Sequence, residues 1–131
     1  MIFVDSSAFL AILSIGDLYH QRARICWTNL LEEDRTMLTN NYVIVESMAI
    51  AQKRFGIEKV RDFQKNLLPF LEIEWVDEEG HKFAVDHVLS ANRRQLSLVD
   101  CSSFETMRRL GIETVFTFDT HFREEGFDII P

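Results

Sequence analysis

Four carboxylates stand where a chain of this pattern could use them for chemistry: Asp5, Glu46, Asp100 and Asp119. Asp5 follows the apolar run Ile2-Phe3-Val4 and Asp119 follows Val115-Phe116-Thr117-Phe118, so both come directly after segments with strand character. Two strand-end carboxylates on neighbouring strands repel and raise each other's pKa unless a cation lies between them. Hard divalent cations take oxygen ligands, and Mg²⁺ typically uses one or two carboxylates while keeping several waters, so acids from distant stretches of chain can share one or two ions. An ion held this way activates water, orients a phosphodiester and stabilises the leaving 3′ oxygen, the division of labour of metal-assisted phosphoryl hydrolysis.

Each acid also has a plainer reading. Asp5 and Asp119 are suited to cap helices, although Ser6, Ser7 and Thr120 are available for that task. Asp100 follows Leu96-Ser97-Leu98-Val99 and could be a surface acid at a helix start; Ser102-Ser103-Phe104-Glu105 reads as a capping box that would free it. Glu46 could mark the solvent side of an amphipathic helix, a reading that Lys53, two turns on, supports. No Ser-His-Asp set, nucleophilic Cys or Gly-rich phosphate loop competes with the acids, and no ligand cluster is expected among the four His. Cys26 and Cys101 lack a C-x-x-C partner and are expected as buried thiols in a reducing compartment.

The elements that must position these acids follow from periodicity and punctuation. Strands are expected over 1–4, 36–39, 71–76, 113–118 and 128–130, and helices over 8–13, 20–33, 42–54, 58–68, 81–94 and 102–110. Asn40 or Asn41 caps the third helix and Gly56 ends it; Pro69 stops the fourth and Gly111 the last. Strands separated by helices predict an α/β fold, a central parallel twisted sheet of about five short strands with helices on both faces. Ligands of such sheets sit beyond the carboxyl ends of the central strands, where Asp5 and Asp119 lie. The 131 residues contain no linker, repeat or low-complexity tract, so one domain over 1–131 is expected.

Composition narrows the classes further. With 47% hydrophobic and 27% charged residues the chain is that of a folded protein, and a formal charge of −7 has the wrong sign for a broad basic nucleic-acid face. The apolar stretch 41–51 is interrupted by Glu46 and is too short to cross a bilayer, and the first residues carry no basic start or cleavage site. A cytoplasmic protein without membrane association is expected.

Taken together, Val4-Asp5-Ser6-Ser7-Ala8-Phe9-Leu10-Ala11-Ile12-Leu13, then Glu46, then Leu96-Ser97-Leu98-Val99-Asp100-Cys101-Ser102-Ser103, then Thr117-Phe118-Asp119-Thr120-His121-Phe122 resembles the PIN-domain ribonucleases, and looks closest to VapC-like toxins. The resemblance spans essentially the whole chain with its motifs in family order. It implies a doubly wound α/β domain, cleavage of RNA phosphodiesters with Mg²⁺ or Mn²⁺, and pairing with an antitoxin protein that blocks the acidic groove. Asp5, Asp100 and Asp119 match the family's metal-ligating aspartates, Glu46 matches the acid supplied from a helix, and Ser7 matches a small hydroxyl position. Thr117 fits a similar supporting role, its alternative being ordinary strand propensity. His121 belongs to the same string and is assigned no chemistry. Cys101 departs mildly from the family, which often has Ala or Ser there.

The resemblance leaves open a PIN nuclease in RNA processing that is not a toxin, or an inert PIN-like binding module. A phospho-acceptor receiver domain would need an acidic pair after the first strand and a late Lys, and an aspartate phosphatase would need Asp where Ser7 stands. Lys53-Arg54, Lys59, Arg61, Lys65, Arg93-Arg94 and Arg108-Arg109 are candidate RNA contacts, their alternative being solvated helix faces. A homodimer is expected, with Phe63, Leu67 and Phe70 as candidate interface residues, although burial in the core would also account for each.

Overall fold

Every position of Ile2-Phe3-Val4 is buried, and the computed structural model, which describes residues 1–131, places this segment as β1 (Ile2–Val4) in the middle of a sheet. A strand that meets apolar surroundings on both faces cannot alternate, which is why the run reads as continuously apolar. β2 (Met37–Asn40) pairs with one edge of β1 and β4 (Thr114–Phe116) with the other; β3 (Leu71–Glu74) and β5 (Asp128–Ile130) close the two ends. All four pairings are parallel, in the order β3-β2-β1-β4-β5. The fold class read from the sequence therefore holds, with five strands and helical connections.

Between β1 and β2 lie α1 (Ser6–Leu13) and α2 (His20–Glu32); between β2 and β3 lie α3 (Asn41–Phe55) and α4 (Ile57–Asp62). The chain then crosses back over β1 and β2 through α5 (Glu78–Ala91) and α6 (Leu98–Leu110), and α7 (His121–Glu124) links β4 to β5. Right-handed crossovers that first advance and then return must use opposite faces of the sheet. The aromatic contacts follow that division: Phe9 meets Phe63 edge-on at 4.9 Å beside α1, while Phe104 meets Phe122 at 5.0 Å and Phe127 at 6.0 Å beside α6. The reversal makes the crevice between the carboxyl ends of β1 and β4 the topological switch point.

Several boundaries differ from the sequence reading, each for a local reason. α1 starts two residues earlier than expected, because Asp5 itself is the cap and Ser6 and Ser7 are its first helical residues. α5 starts at Glu78, capped by the Asp77 side chain on the Gly80 amide at 2.9 Å, and ends at Asn92 in the left-handed region. The segment after α4 widens into a π turn at 63–67 and a 3-10 turn at 68–70 that contains Pro69. β4 stops at Phe116, so Thr117 lies just past it.

The expected start of α6 needs the largest correction. The helix begins at Leu98, and Ser102 and Glu105 are inside it; the capping box is formed by Ser97 and Asp100. Ser102 and Ser103 both turn their hydroxyls back to the Val99 carbonyl, at 2.7 and 3.1 Å.

Two of the three candidate interface residues, Phe63 and Leu67, are in the core, and only Phe70 is exposed, standing edge-on to Trp27. Among the basic candidates, Arg61, Arg93, Arg108 and Arg109 are paired with Glu58, Glu124, Glu125 and Glu74. Lys53, Arg54, Lys59, Lys65 and Arg94 have no carboxylate within ion-pair distance. Cys26 and Cys101 are buried free thiols, both pushed up to about 11 chiefly by burial, which keeps them as unreactive thiols at neutral pH. No helix is long and apolar enough to cross a membrane.

Candidate metal centre

Asp5 is the residue where β1 becomes α1, and it is almost completely buried. Its amide bonds to the Phe116 carbonyl at 3.0 Å, which sets it level with the end of β4 and brings Thr117 alongside. Thr117 Oγ1 donates to Asp5 Oδ2 at 2.9 Å and Ser7 Oγ donates to the same oxygen at 2.8 Å. Each hydroxyl also accepts a backbone N–H: Ser7 from Phe118 at 2.9 Å and Thr117 from Asp119 at 3.0 Å. A hydroxyl has one proton, so with both protons committed to Asp5 the 3.0 Å approach of Ser7 to Thr117 is a contact without a bonding hydrogen. The two supporting hydroxyls expected from sequence thus bind one oxygen of Asp5 and hold the chain leading to Asp119.

Burial is the main cause of the Asp5 carboxyl's rise to about 6, opposed by the Ser7 and Thr117 bonds and reinforced by the charge on Asp100. The Asp100 carboxyl is also raised, first by burial and then by the charges on Asp119 and Glu46, against the lowering effect of the Ser97 amide. Each of these acids therefore senses another member of the set, which is the signature of carboxylates gathered within a short distance.

The other three acids are placed by three different helices, α3, α6 and α7. Asn40, fully buried, caps α3 through Oδ1 on the Val43 amide at 2.9 Å and gives its Nδ2 to Thr106 at 3.1 Å and Ser102 at 3.3 Å, tying α3 to α6. That tie orients the second turn of α3, where Glu46 Oε1 accepts from Ser6 Oγ at 2.6 Å. Asp100 is the third residue of α6, and its Oδ2 accepts from the Ser97 amide at 3.0 Å. Asp119 precedes α7, and its Oδ1 accepts from the His121 amide at 2.9 Å.

A common pattern emerges. Every acid commits one oxygen to its own scaffold: Asp5 Oδ2, Glu46 Oε1, Asp100 Oδ2 and Asp119 Oδ1. The second oxygen of each has no protein hydrogen bond. A carboxylate fixed by one oxygen with the other left open is oriented as a monodentate ligand for a hard cation. The plainer readings also hold in part, since Asp5 caps α1 weakly at 3.4 Å and Asp100 is half of a capping box.

The sequence assigns no role to one residue of the group. His121 Nδ1 lies 3.1 Å from Asp119 Oδ1 and 3.8 Å from Asp100 Oδ2, is buried, and has no hydrogen-bond partner. Asp100, Asp119 and His121 each place a donor atom within 4.8 Å of the others, so a histidine to which the sequence assigns no chemistry stands inside the candidate acidic cluster. The Asx turn from Asp119 to His121 makes the meeting possible, and nothing in the spacing alone announces it. The Ser6 tie to Glu46 also went unread, because a serine beside a capping aspartate suggests capping rather than a bond across 40 positions.

The residues present fit a divalent cation: Asp100, Asp119 and the orphaned buried Nδ1 of His121 place donor atoms within 4.8 Å of one another, and the carboxyls of Asp5 and Asp100 are raised by burial and by neighbouring negative charge. Asp5 and Glu46 lie outside that closest group and border it, each coupled to Asp100 by charge.

Comparison with known proteins agrees with this architecture. The PIN domain family pattern matches residues 2–127. The "23S rRNA-specific endonuclease VapC20" of two Mycobacterium tuberculosis strains is 30% identical over 128 residues, covering 97% of this chain and 95% of its own. The crystal structure of M. tuberculosis VapC20, described as a "Sarcin-Ricin loop cleaving toxin", superposes with a TM-score of 0.89 at 27% identity over 100% of both chains. FitAcB from Neisseria gonorrhoeae shares the fold, at a TM-score of 0.71 and 16% identity over 100% of this chain and 97% of its own. With family pattern, sheet order and end-to-end alignment coinciding, the chain belongs to the PIN-domain family, as a full-length homologue of the VapC20 endonucleases.

Proposed function

We propose that this protein is a VapC-type endoribonuclease that hydrolyses a phosphodiester of ribosomal RNA at the carboxylates Asp5, Glu46, Asp100 and Asp119. The observation that carries this reading is the half-committed state of all four acids, each braced through one oxygen and open at the other. Mg²⁺ or Mn²⁺, when bound, supplies activation of water and neutralisation of the charge that develops on phosphate. Asp5, Asp100, Asp119 and Glu46 would hold it, while Ser7 and Thr117 keep Asp5 in place. The relatives named as cutting 23S rRNA and the sarcin-ricin loop make structured ribosomal RNA the first substrate to try.

Restraint of such an enzyme calls for a partner, and the role of VapC20 as a toxin supports a cognate antitoxin here. A pocket of about 390 Å³ beside the centre, apolar at Val45, Leu98 and Val99 and acidic at Glu46, suits a segment that presents an apolar side chain followed by Arg or Lys. The test is incubation of purified protein with ribosomes and with isolated 23S rRNA, with Mn²⁺, with Mg²⁺ and with EDTA. A discrete cleavage that EDTA and Asp100→Asn both abolish is expected. Intact RNA under every metal condition would defeat the reading.

A further inference from the structure

Resting on the metal-centre reading above, we propose that His121 supplies Nδ1 as a nitrogen ligand to the cation held by Asp100 and Asp119, and that this donor biases the centre toward Mn²⁺ over Mg²⁺. The chain turn that brings the imidazole back is made by the His121 backbone N–H on Asp119 Oδ1, at 2.9 Å. Any residue but proline can donate that bond, so the turn gives no reason for an imidazole at this position.

Nδ1 itself is cut off from solvent and has no partner. Its 3.1 Å approach to Asp119 Oδ1 fails the angular requirement of a hydrogen bond, so the ring-plane direction in which the nitrogen holds its lone pair or proton passes beside that oxygen. Burying an unpaired nitrogen is unfavourable, and a ligand-facing lone pair removes that cost.

The consequence for selectivity is chemical. Mg²⁺ takes oxygen donors, whereas imidazole suits first-row transition ions, so a nitrogen among carboxylates favours Mn²⁺ more than Mg²⁺. The competing arrangement places a proton on Nδ1 and leaves the cation an all-oxygen sphere.

Pulsed electron paramagnetic resonance of Mn²⁺ bound to the full-length protein separates the two. Protein labelled with ¹⁵N only at histidine should show a ¹⁵N hyperfine coupling to Mn²⁺, and the coupling should vanish in His121→Gln. In parallel, His121→Gln should weaken Mn²⁺ binding by about tenfold, the scale of losing a ligand-sphere partner, with Mg²⁺ affinity changed much less. Mn²⁺ that binds in a manner abolished by Asp100→Asn, yet shows no histidine nitrogen coupling, would overturn this proposal alone. Failure of the wild type to bind Mn²⁺ at all would overturn both this and the metal-centre reading. Should His121→Gln not fold, the labelled wild-type spectrum decides by itself.

Discussion

Ser97 and Asp100 hold each other: the Ser97 amide donates to Asp100 Oδ2 at 3.0 Å, and the Asp100 amide donates to Ser97 Oγ at 3.0 Å. The device that starts α6 is therefore also the device that aims an acid of the candidate metal centre. Ser97→Ala removes the side-chain half of this exchange, and a loss of about 1 kcal/mol of stability is expected together with weaker Mn²⁺ binding. Ser97→Thr should restore both. Thermal unfolding and an Mn²⁺ titration on the same samples check this; a destabilised Ser97→Ala that still bound Mn²⁺ like wild type would separate the cap from the site.

Asp5 makes metal-free stability depend on pH. Its carboxyl titrates near 6 in the folded protein against an ordinary value of 3.8, so the folded state binds this proton more tightly than the unfolded chain does. Such a group contributes stability that is complete below its unfolded pKa and disappears as pH rises through about 6. The loss between pH 4 and pH 7 is on the order of 2–3 kcal/mol. Asp5→Asn keeps an acceptor for Ser7 and Thr117 without the charge. In EDTA it should equal wild type near pH 4, exceed it at neutral pH, and have no nuclease activity. Saturating Mn²⁺ should raise the wild-type midpoint and leave the variant where it was. Parallel pH profiles for the two proteins would contradict the assignment.

Thr117→Val retains strand propensity but deletes both a donor to Asp5 and the acceptor of the Asp119 amide. The Asp119 amide loses its partner and Asp5 Oδ2 keeps only Ser7, which should cost about 1–3 kcal/mol in urea unfolding, with RNA cleavage reduced. Thr117→Ser, which keeps the hydroxyl, should recover most of the cleavage rate.

Ser6→Ala isolates the brace on Glu46. The expected stability change is about 1 kcal/mol or less, whereas Mn²⁺ affinity or cleavage should fall by about tenfold, since an oriented carboxylate becomes a mobile one. Combining Ser6→Ala with Glu46→Gln should cost little more than Glu46→Gln alone. Additive losses would mean that Ser6 acts elsewhere.

What could be read from sequence was what depends on local pattern. The apolar run ahead of Asp5, the β-branched and aromatic run ahead of Asp119, and the Gly56 and Gly111 helix ends report strand and helix identity directly, so all five strands were found in order. The capping box was misplaced because Ser97-Leu98-Val99-Asp100 sits inside an apolar stretch that resembles a strand, while Ser102 and Glu105 have the same spacing and a more polar setting. The roles of Ser6 and His121 depend on which atoms meet across helix ends, and a one-dimensional spacing carries no trace of that. Phe63 and Leu67 illustrate the same limit for burial, since the apolar side of a helix looks alike whether it faces a core or a partner.

Asp5 and Thr117 meet although they are separated by 112 positions in the chain, and the meeting exists only because β4 lies against β1. A chain that had assembled β1, β2 and β3 alone would have Ser6 and Glu46 within reach of each other, but neither the Thr117 hydroxyl nor Asp119. Neither the brace on Asp5 nor Asp119 can take its place in the proposed centre until β4 docks on β1.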